Sequence, residues 1–394
     1  MLTSASRGAV ATILLSGPQA LEIGSRHFQP AADEPLAASP IGAIRFGRFG
    51  NLPGEEIVVA RRGAERLELH CHGGLAAAPA ILAMLVSAGA IELTWQDWLA
   101  REDPDPIRVA ARIALAAART ERAASILLDQ YHGALSRAVA ALDGQLARGA
   151  AAEAHRELAE LWRRSAAGEH LTAPWRVVLA GPPNVGKSSL INRLLGYERA
   201  IVFDQPGTTR DALQAETIFD GWPIELTDTA GLRASLDPLE AAGVARARIQ
   251  MAGADCLVLV TDEANPTVSH AEESAAEIPT IGVINKADLL APGRRADLLE
   301  GRFPTPIFTS AWTGEGISML QQAIVDRLVP PLVDGTALPF TAAQTTCLHA
   351  AGAALGADET GGSPRSGSES SAHKFRAARR VLRTLFLLPP LDKG

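Results

Sequence analysis

The sequence predicts a mixed α/β chain in which a domain built on a mostly parallel sheet is inserted into a helical one, behind a smaller α+β domain. Three observations carry this. The chain has 394 residues, too many for one ordinary domain. From Trp175 onward, strand-length apolar runs (Val177–Ala180, Ile224–Thr227, Cys256–Thr261 and Ile281–Ile284) alternate with helical stretches, the pattern of a sheet with helices on both faces. Helical character flanks that region. Residues 106–163 are Ala-, Leu- and Arg-rich with apolar residues at helical spacing, as in Ile126-Leu127-Tyr131-Leu135-Val139, and helix is expected again after Pro330-Pro331.

The elements follow in chain order. Residues 1–104 form the α+β domain, with strands expected at Val10–Leu15, Glu56–Ala60 and Arg66–Cys71. The uncharged run Gly73–Ile91 is Ala-rich and contains Pro79, Ser87 and Gly89, so it reads as a buried helix rather than a membrane span. Residues 105–171 and 332–394 form the helical domain, and 172–331 the inserted α/β domain. Asp220-Gly221, between Leu213–Phe219 and Trp222–Thr227, is a hairpin signal and adds one antiparallel pairing. Gly361–Ser371 reads as a Gly/Ser-rich loop. His373–Leu388 reads as a basic amphipathic helix. Phe375, Leu382 and Phe386 share its apolar face, and Lys374, Arg376, Arg379, Arg380 and Arg383 supply charge. That helix either touches RNA phosphates or presents a solvated face of a packed helix.

A net charge of −7 excludes a whole-chain basic footprint for nucleic acid, so any RNA contact needs a local patch. Cys71, Cys256 and Cys347 lie far apart, which argues against disulfides and zinc knuckles. Only Arg7 precedes the apolar run Ala9–Leu15, so no secretory leader is expected, and a reducing, cytoplasmic setting is. In a strand, His70 and His72 share a face that Cys71 does not, with no further ligand cluster nearby, so a metal site is not expected. Trp95 and Trp98, near Glu92, fit core packing better than stacking on a pterin ring. Cys256 is most simply core.

The chemistry lies in the inserted domain. Gly181-Pro-Pro-Asn-Val-Gly186-Lys187-Ser188 fills every fixed position of the phosphate-loop pattern, after a predicted strand and before the helical stretch Ser189–Leu195. Backbone N–H groups from Gly181 to Ser189, including those of Asn184, Val185 and Gly186, can curl round phosphate oxygens at a helix N-terminus. Lys187 is placed for the β/γ-phosphates, and the Ser188 hydroxyl for Mg²⁺. Asp228-Thr-Ala-Gly231 ends a second strand: Asp228 can hold Mg²⁺ and the Gly231 N–H can sense the γ-phosphate. Asn285-Lys286-Ala-Asp288 ends a third. Asp288 can accept two hydrogen bonds from guanine, which adenine does not offer in that arrangement. Ser310-Ala311 should place a backbone N–H near guanine O6, and Thr208 or Thr209 can reach Mg²⁺ when GTP is bound. The order of these motifs at successive strand ends points to a Ras-like P-loop GTPase domain.

The sequence resembles the bacterial tRNA-modification GTPases called MnmE or TrmE. The likeness runs through the phosphate loop with Pro183-Asn184, Gly207-Thr-Thr-Arg-Asp211, Asp228-Thr-Ala-Gly-Leu-Arg233 and Thr313-Gly-Glu-Gly316. Outside that domain it includes Ser6–Val10 through Ser16-Gly17, Leu67–Gly74 and Tyr131–Ser136. The resemblance implies a GTPase domain inserted between helical segments and an N-terminal domain that makes a homodimer and binds a folate one-carbon donor. It implies a flavin-dependent partner subunit and tRNA as substrate. It also implies K⁺ held by Asn184 beside the phosphates, and Glu240 as the catalytic residue, since Leu232 stands where other GTPases carry glutamine.

Two differences stand beside the likeness. The family's Cys-x-Gly-Lys ending has no counterpart after Cys347, and its Phe-Leu-Asn-Gly-Lys stretch is missing around Trp95–Arg108. The sequence therefore leaves two readings: a GTPase acting in modification of the tRNA wobble uridine, or a GTP-gated switch with an RNA or ribosome partner that has lost the one-carbon chemistry.

Overall fold

A computed structural model describes residues 8–32, 34–51, 54–196, 214–228, 253–265, 278–299, 303, 305–356 and 371–384. Chain packing divides it into two compact units, Met1–Pro104 and Asp105–Gly394.

The first unit is an antiparallel sheet with helices. Its strands are β1 (Val10–Ser16), β2 (Phe28–Pro30), β3 (Ile44–Phe49), β4 (Glu55–Gly63) and β5 (Arg66–His72), ordered β1-β5-β4-β3-β2. Alternation decides which face is covered. Ile13, Leu15, Ile57, Val59, Leu67 and Leu69 point to one face and form a core with Ile23 of α1 (Ala20–His27) and Ile81 and Leu85 of α2 (Ala77–Ser87). The uncharged run is thus an 11-residue packed helix, and no helix among the described residues is long and apolar enough to cross a membrane. Val10, Ile44 and Phe46 are exposed. Helix α3 (Trp95–Glu102) closes the unit, capped by Thr94, whose hydroxyl accepts from the Asp97 N–H at 3.1 Å.

The second unit opens with helices α4 (Pro106–Leu115), α5 (Glu121–Tyr131), α6 (Ala134–Ala147) and α7 (Ala151–Glu169). Helix α4 begins where the sequence allows it: Pro106 takes the first turn, and the Asp105 carboxylate accepts from the Ile107 and Arg108 N–H groups. The α/β part follows with β6 (Trp175–Ala180), α8 (Lys187–Leu195), β7 (Gln214–Phe219), β8 (Trp222–Asp228), β9 (Cys256–Thr261), β10 (Thr280–Ile284), α9 (Arg294–Leu299), β11 (Ile307–Phe308) and α10 (Ile317–Leu328). The sheet order is β11-β10-β9-β6-β8-β7, parallel except for the β7–β8 hairpin. Asp220 and Gly221 both have positive φ, +46° and +77°, as a two-residue turn of this hand demands.

The chain then returns to the helices through α11 (Ala342–Leu355) and α12 (Ser371–Arg383), which pack on α7 and α6. Buried Gln130 fixes the return: its amide donates to the Thr336 carbonyl at 3.0 Å and accepts from the Leu338 N–H at 3.4 Å. Arg379 of α12 makes a two-pronged contact with Asp143 of α6, at 2.8 and 3.2 Å. Those hydrogen bonds, from Arg379 above all, hold the Asp143 carboxyl below its ordinary range, against the opposing effect of burial.

Candidate nucleotide-binding site

Parallel pairing of β6, β8, β9, β10 and β11 brings the C-terminal ends of all five strands to one edge of the sheet, where an open α/β sheet binds its ligand. The phosphate loop links β6 to α8. It turns through positive φ at Gly181 (+147°), Asn184 (+63°) and Gly186 (+91°). Two glycines are sterically required. A Cβ on Gly181 would lie 2.0 Å from the Val260 carbonyl oxygen, and one on Gly186 would lie 2.5 Å from Asn285 Nδ2. Helix α8 starts at Lys187, so the N–H groups of its first turn, including that of Ser189, lie at a helix N-terminus beside the loop.

The functional side chains converge there. Lys187 is buried, and its ammonium donates to the Gly181 and Pro182 carbonyls at 3.0 and 2.8 Å. Because Leu179 pairs with Asp228 across β6 and β8, the residue after Lys187 meets the end of β8: Ser188 Oγ donates to Asp228 Oδ2 at 2.5 Å. A hydroxyl and a carboxylate at this separation are hard oxygen donors of the kind Mg²⁺ takes.

Asn285 joins this loop to the next strand ends. It is buried; its amide donates to the Val185 carbonyl at 2.8 Å, and its Oδ1 accepts from the Thr309 hydroxyl at 3.2 Å. Its own N–H donates to the Thr261 carbonyl at 2.8 Å. Lys286, at φ +60°, donates to the Asn184 carbonyl and to Asp262 Oδ2, both at 2.7 Å. Burial pushes the Asp262 carboxyl up, but hydrogen bonds from Lys286 and Asn265 outweigh it and hold the group below its usual range. Asp288 stands exposed on the short turn Ala287–Leu289. Ser310 is fully buried and closes its own loop: its N–H donates to the Glu315 carbonyl at 3.0 Å, and its hydroxyl accepts from the Thr313 N–H at 3.1 Å. Half-buried Ala311 follows it.

The structure thus brings together Gly181, Asn184, Val185, Gly186, Lys187, Ser188, Asp228, Asn285 and Lys286, with Asp288, Ser310 and Ala311 on the adjoining loops. Thr208, Thr209, Gly231, Leu232 and Glu240 lie outside the described residues. Sequence reasoning missed Asp262 and Thr309. Asp262 directly follows the apolar run Cys256–Thr261, a strand-end position like that of Asp228, and this was the signal available.

The other sequence candidates resolve as follows. Cys71 is buried, His70 meets the Thr12 hydroxyl at 3.0 Å, and His72 meets Glu55 at 2.5 Å. Among the described residues no cluster of three or more His, Cys, Asp or Glu could hold a metal. Burial pushes the Cys256 thiol up to about 12, as expected of a core cysteine. Trp95 and Trp98 line a cavity of about 510 Å³ with Ile13, Leu85, Thr94 and Arg101.

A phosphate loop, a Ser188–Asp228 oxygen pair and an Asn285–Asp288 loop on one sheet edge define a P-loop GTPase domain. A family profile described as 50S ribosome-binding GTPase matches residues 176–286. Likeness to relatives extends much further. The tRNA modification GTPase MnmE of a Synechococcus species is 32% identical over 392 residues, spanning 90% of this chain and 85% of that one. Its counterpart from Symbiobacterium thermophilum is 31% identical, spanning 82% and 80%. Among solved structures, the G domain of the Thermotoga maritima FeoB iron transporter is 31% identical with a TM-score of 0.30, covering 39% of this chain and 98% of that one. The chain belongs to the MnmE tRNA modification GTPase family, and it binds and hydrolyses GTP.

Proposed function

We propose that this chain uses GTP hydrolysis in modification of the tRNA wobble uridine, as a homodimer with a flavin-dependent partner subunit, in the cytoplasm. The observation that carries the reading is the reach of the likeness: it covers 90% of the chain, well beyond the 176–286 stretch that a GTPase domain alone would explain. The exposed apolar residues Val10, Ile44 and Phe46 of the N-terminal sheet support association through that unit.

In this reading Lys187 and the phosphate-loop N–H groups bind the β- and γ-phosphates, and Ser188, Asp228 and Thr209 hold Mg²⁺. Gly231 senses the γ-phosphate. Asp288 and the Ala311 N–H read the guanine edge, while Asn285 and Lys286 hold the base loop against the phosphate loop. Asn184, exposed on the phosphate loop, is the ligand for K⁺, which supplies the charge that an arginine supplies in other GTPases. Glu240 orients the attacking water. A folate one-carbon donor belongs to the N-terminal unit.

A second reading, a GTP-gated switch with an RNA or ribosome partner and no one-carbon chemistry, is favoured by one observation. The stretch where the family carries Phe-Leu-Asn-Gly-Lys is here the helix Trp95–Glu102 and its surroundings, without that string. The test is GTP hydrolysis by the purified chain in K⁺ and in Na⁺ at equal ionic strength, with Glu240→Ala beside it. A K⁺-dependent rate lost in the variant is expected. Hydrolysis indifferent to the cation and to the substitution sinks the cation-assisted mechanism and moves preference to the switch.

A further inference from the structure

Helix α12 carries Lys374, Arg376, Arg379, Arg380 and Arg383 and no acidic residue, in a chain whose net charge is −7. Packing sorts these residues by face. Ala378 and Leu382 are fully buried, and Phe375 packs against the same core. Arg379 is held by Asp143, which also meets Arg383 at 3.3 Å. On the face away from that buried core lie His373, Arg376, Arg380 and Arg383, all exposed, with Arg383 at the Asp143 end. Their spacing of three and four residues puts them on one stripe, at steps of about 4.5 to 6 Å along the axis. The helices packed on α12 do not neutralise it. Asp143 is the one carboxylate in Ala134–Ala147, and Ala342–Leu355 contains none.

We propose that this stripe is an RNA contact surface, binding the sugar–phosphate backbone of the tRNA through Arg376 and Arg380, with Arg383 and His373 at its ends. The inference rests on the tRNA reading above and adds to it the place of contact. A membrane surface is a poorer fit, because a helix lying on lipid needs its apolar face free, and here that face is buried in the protein. A row of guanidiniums without aromatic or apolar residues between them reads charge along a strand rather than a base or a protein side chain. Phosphate contacts position an RNA without selecting its sequence, so the stripe is expected to act on tRNAs generally.

The experiment measures binding of unfractionated tRNA to the full chain by fluorescence anisotropy across a salt series, for the natural protein and for the double variant Arg376→Gln/Arg380→Gln. Neither residue belongs to the nucleotide site, so GTP hydrolysis and thermal unfolding serve as controls on folding. Each lost phosphate contact lowers the slope of log affinity against log salt by about 0.7 to 0.9. Two contacts lower it by roughly 1.4 to 1.8, so the ratio of natural to variant affinity shrinks roughly 25- to 60-fold as salt rises over one decade, with the loss largest at low salt. The Arg376→Lys/Arg380→Lys variant, which keeps the charge, is expected to recover most of it. Unchanged affinity and slope in the glutamine variant, with the natural chain binding normally, overturn the stripe but leave the tRNA reading intact. A natural chain that hydrolyses GTP yet does not bind tRNA overturns both. Stripe-dependent binding to poly-glutamate as tight as to tRNA reassigns the surface to an acidic protein partner.

Discussion

Gly186→Ala adds one methyl group to the phosphate loop, and the structure says what it meets. The residue sits at φ +91°, a region that costs an L-residue about 1–2 kcal/mol. The new Cβ would lie 2.5 Å from Asn285 Nδ2, closer than any real contact, so the Asn285 amide has to withdraw. Withdrawal breaks its 2.8 Å bond to the Val185 carbonyl, leaving a buried acceptor unpartnered at a cost of about 1–3 kcal/mol. Together the strain and the lost bond come to roughly 2–5 kcal/mol. Because Asn285 joins the phosphate loop to the loop proposed to read guanine, both halves of the site lose their shared geometry. Even the lower figure corresponds to about 30-fold weaker nucleotide binding. Titration of a fluorescent GDP analogue, with thermal unfolding of the nucleotide-free protein alongside, measures both effects. Unchanged affinity together with an unchanged melting temperature would refute the steric reasoning and the role given to Asn285.

Two further outcomes are expected in the helical part. Gln130→Leu keeps side-chain volume but leaves the Thr336 carbonyl and the Leu338 N–H without the partner that holds them. A loss of about 2–4 kcal/mol follows, read as a melting temperature lower by roughly 5–15 °C, and no change would show that the returning chain is held by other contacts. Asp143→Asn tests the anchor of α12. The folded-state pKa of Asp143 is depressed, chiefly by its hydrogen bond from Arg379, so its contribution is present above the unfolded pKa and is lost as pH falls through the folded one. Urea titrations should find the variant less stable than the natural chain at pH 7, with the gap narrowing below about pH 4; a gap constant with pH would sever the link to this carboxylate.

The nucleotide edge was legible because its chemistry is written in contiguous strings at strand ends. Gly181–Ser188, Asp228 and Asn285–Asp288 each follow an apolar run, and parallel pairing does the rest. Asp262 was legible only as a strand-end carboxylate and Thr309 not at all, since the role of each depends on a neighbour far away in sequence, Lys286 for one and Asn285 for the other. Strand β3 was missed for a different reason. Ile44 and Phe46 lie on an exposed face while Gly47 is turned inward, where a Cβ would come 2.2 Å from the Gln29 carbonyl oxygen. The apolar alternation there marks an open face, the reverse of what such a pattern signals in a core strand. The basic helix was legible as a helix, but which arginines are exposed depends on Asp143, which lies on another element.

The helical segments grip the α/β part at the edge opposite the nucleotide. Arg122 of α5 donates to the Asp220 carbonyl at 2.8 Å and lies 5.7 Å from the centre of the Trp222 ring, and a Cβ on Gly221 would come 2.8 Å from the Arg122 Cβ. His170, just past α7, stacks on Trp175 at 3.7 Å and lies 3.7 Å from Asp255. Trp175, Trp222 and Asp255 are at or beside the N-terminal ends of β6, β8 and β9, whereas Lys187, Asp228 and Asn285 follow or occupy C-terminal ends. Strand β8 alone separates Trp222 from Asp228 by about 20 Å at the usual rise. Nucleotide binding at the far edge therefore does not require the helical contacts to break.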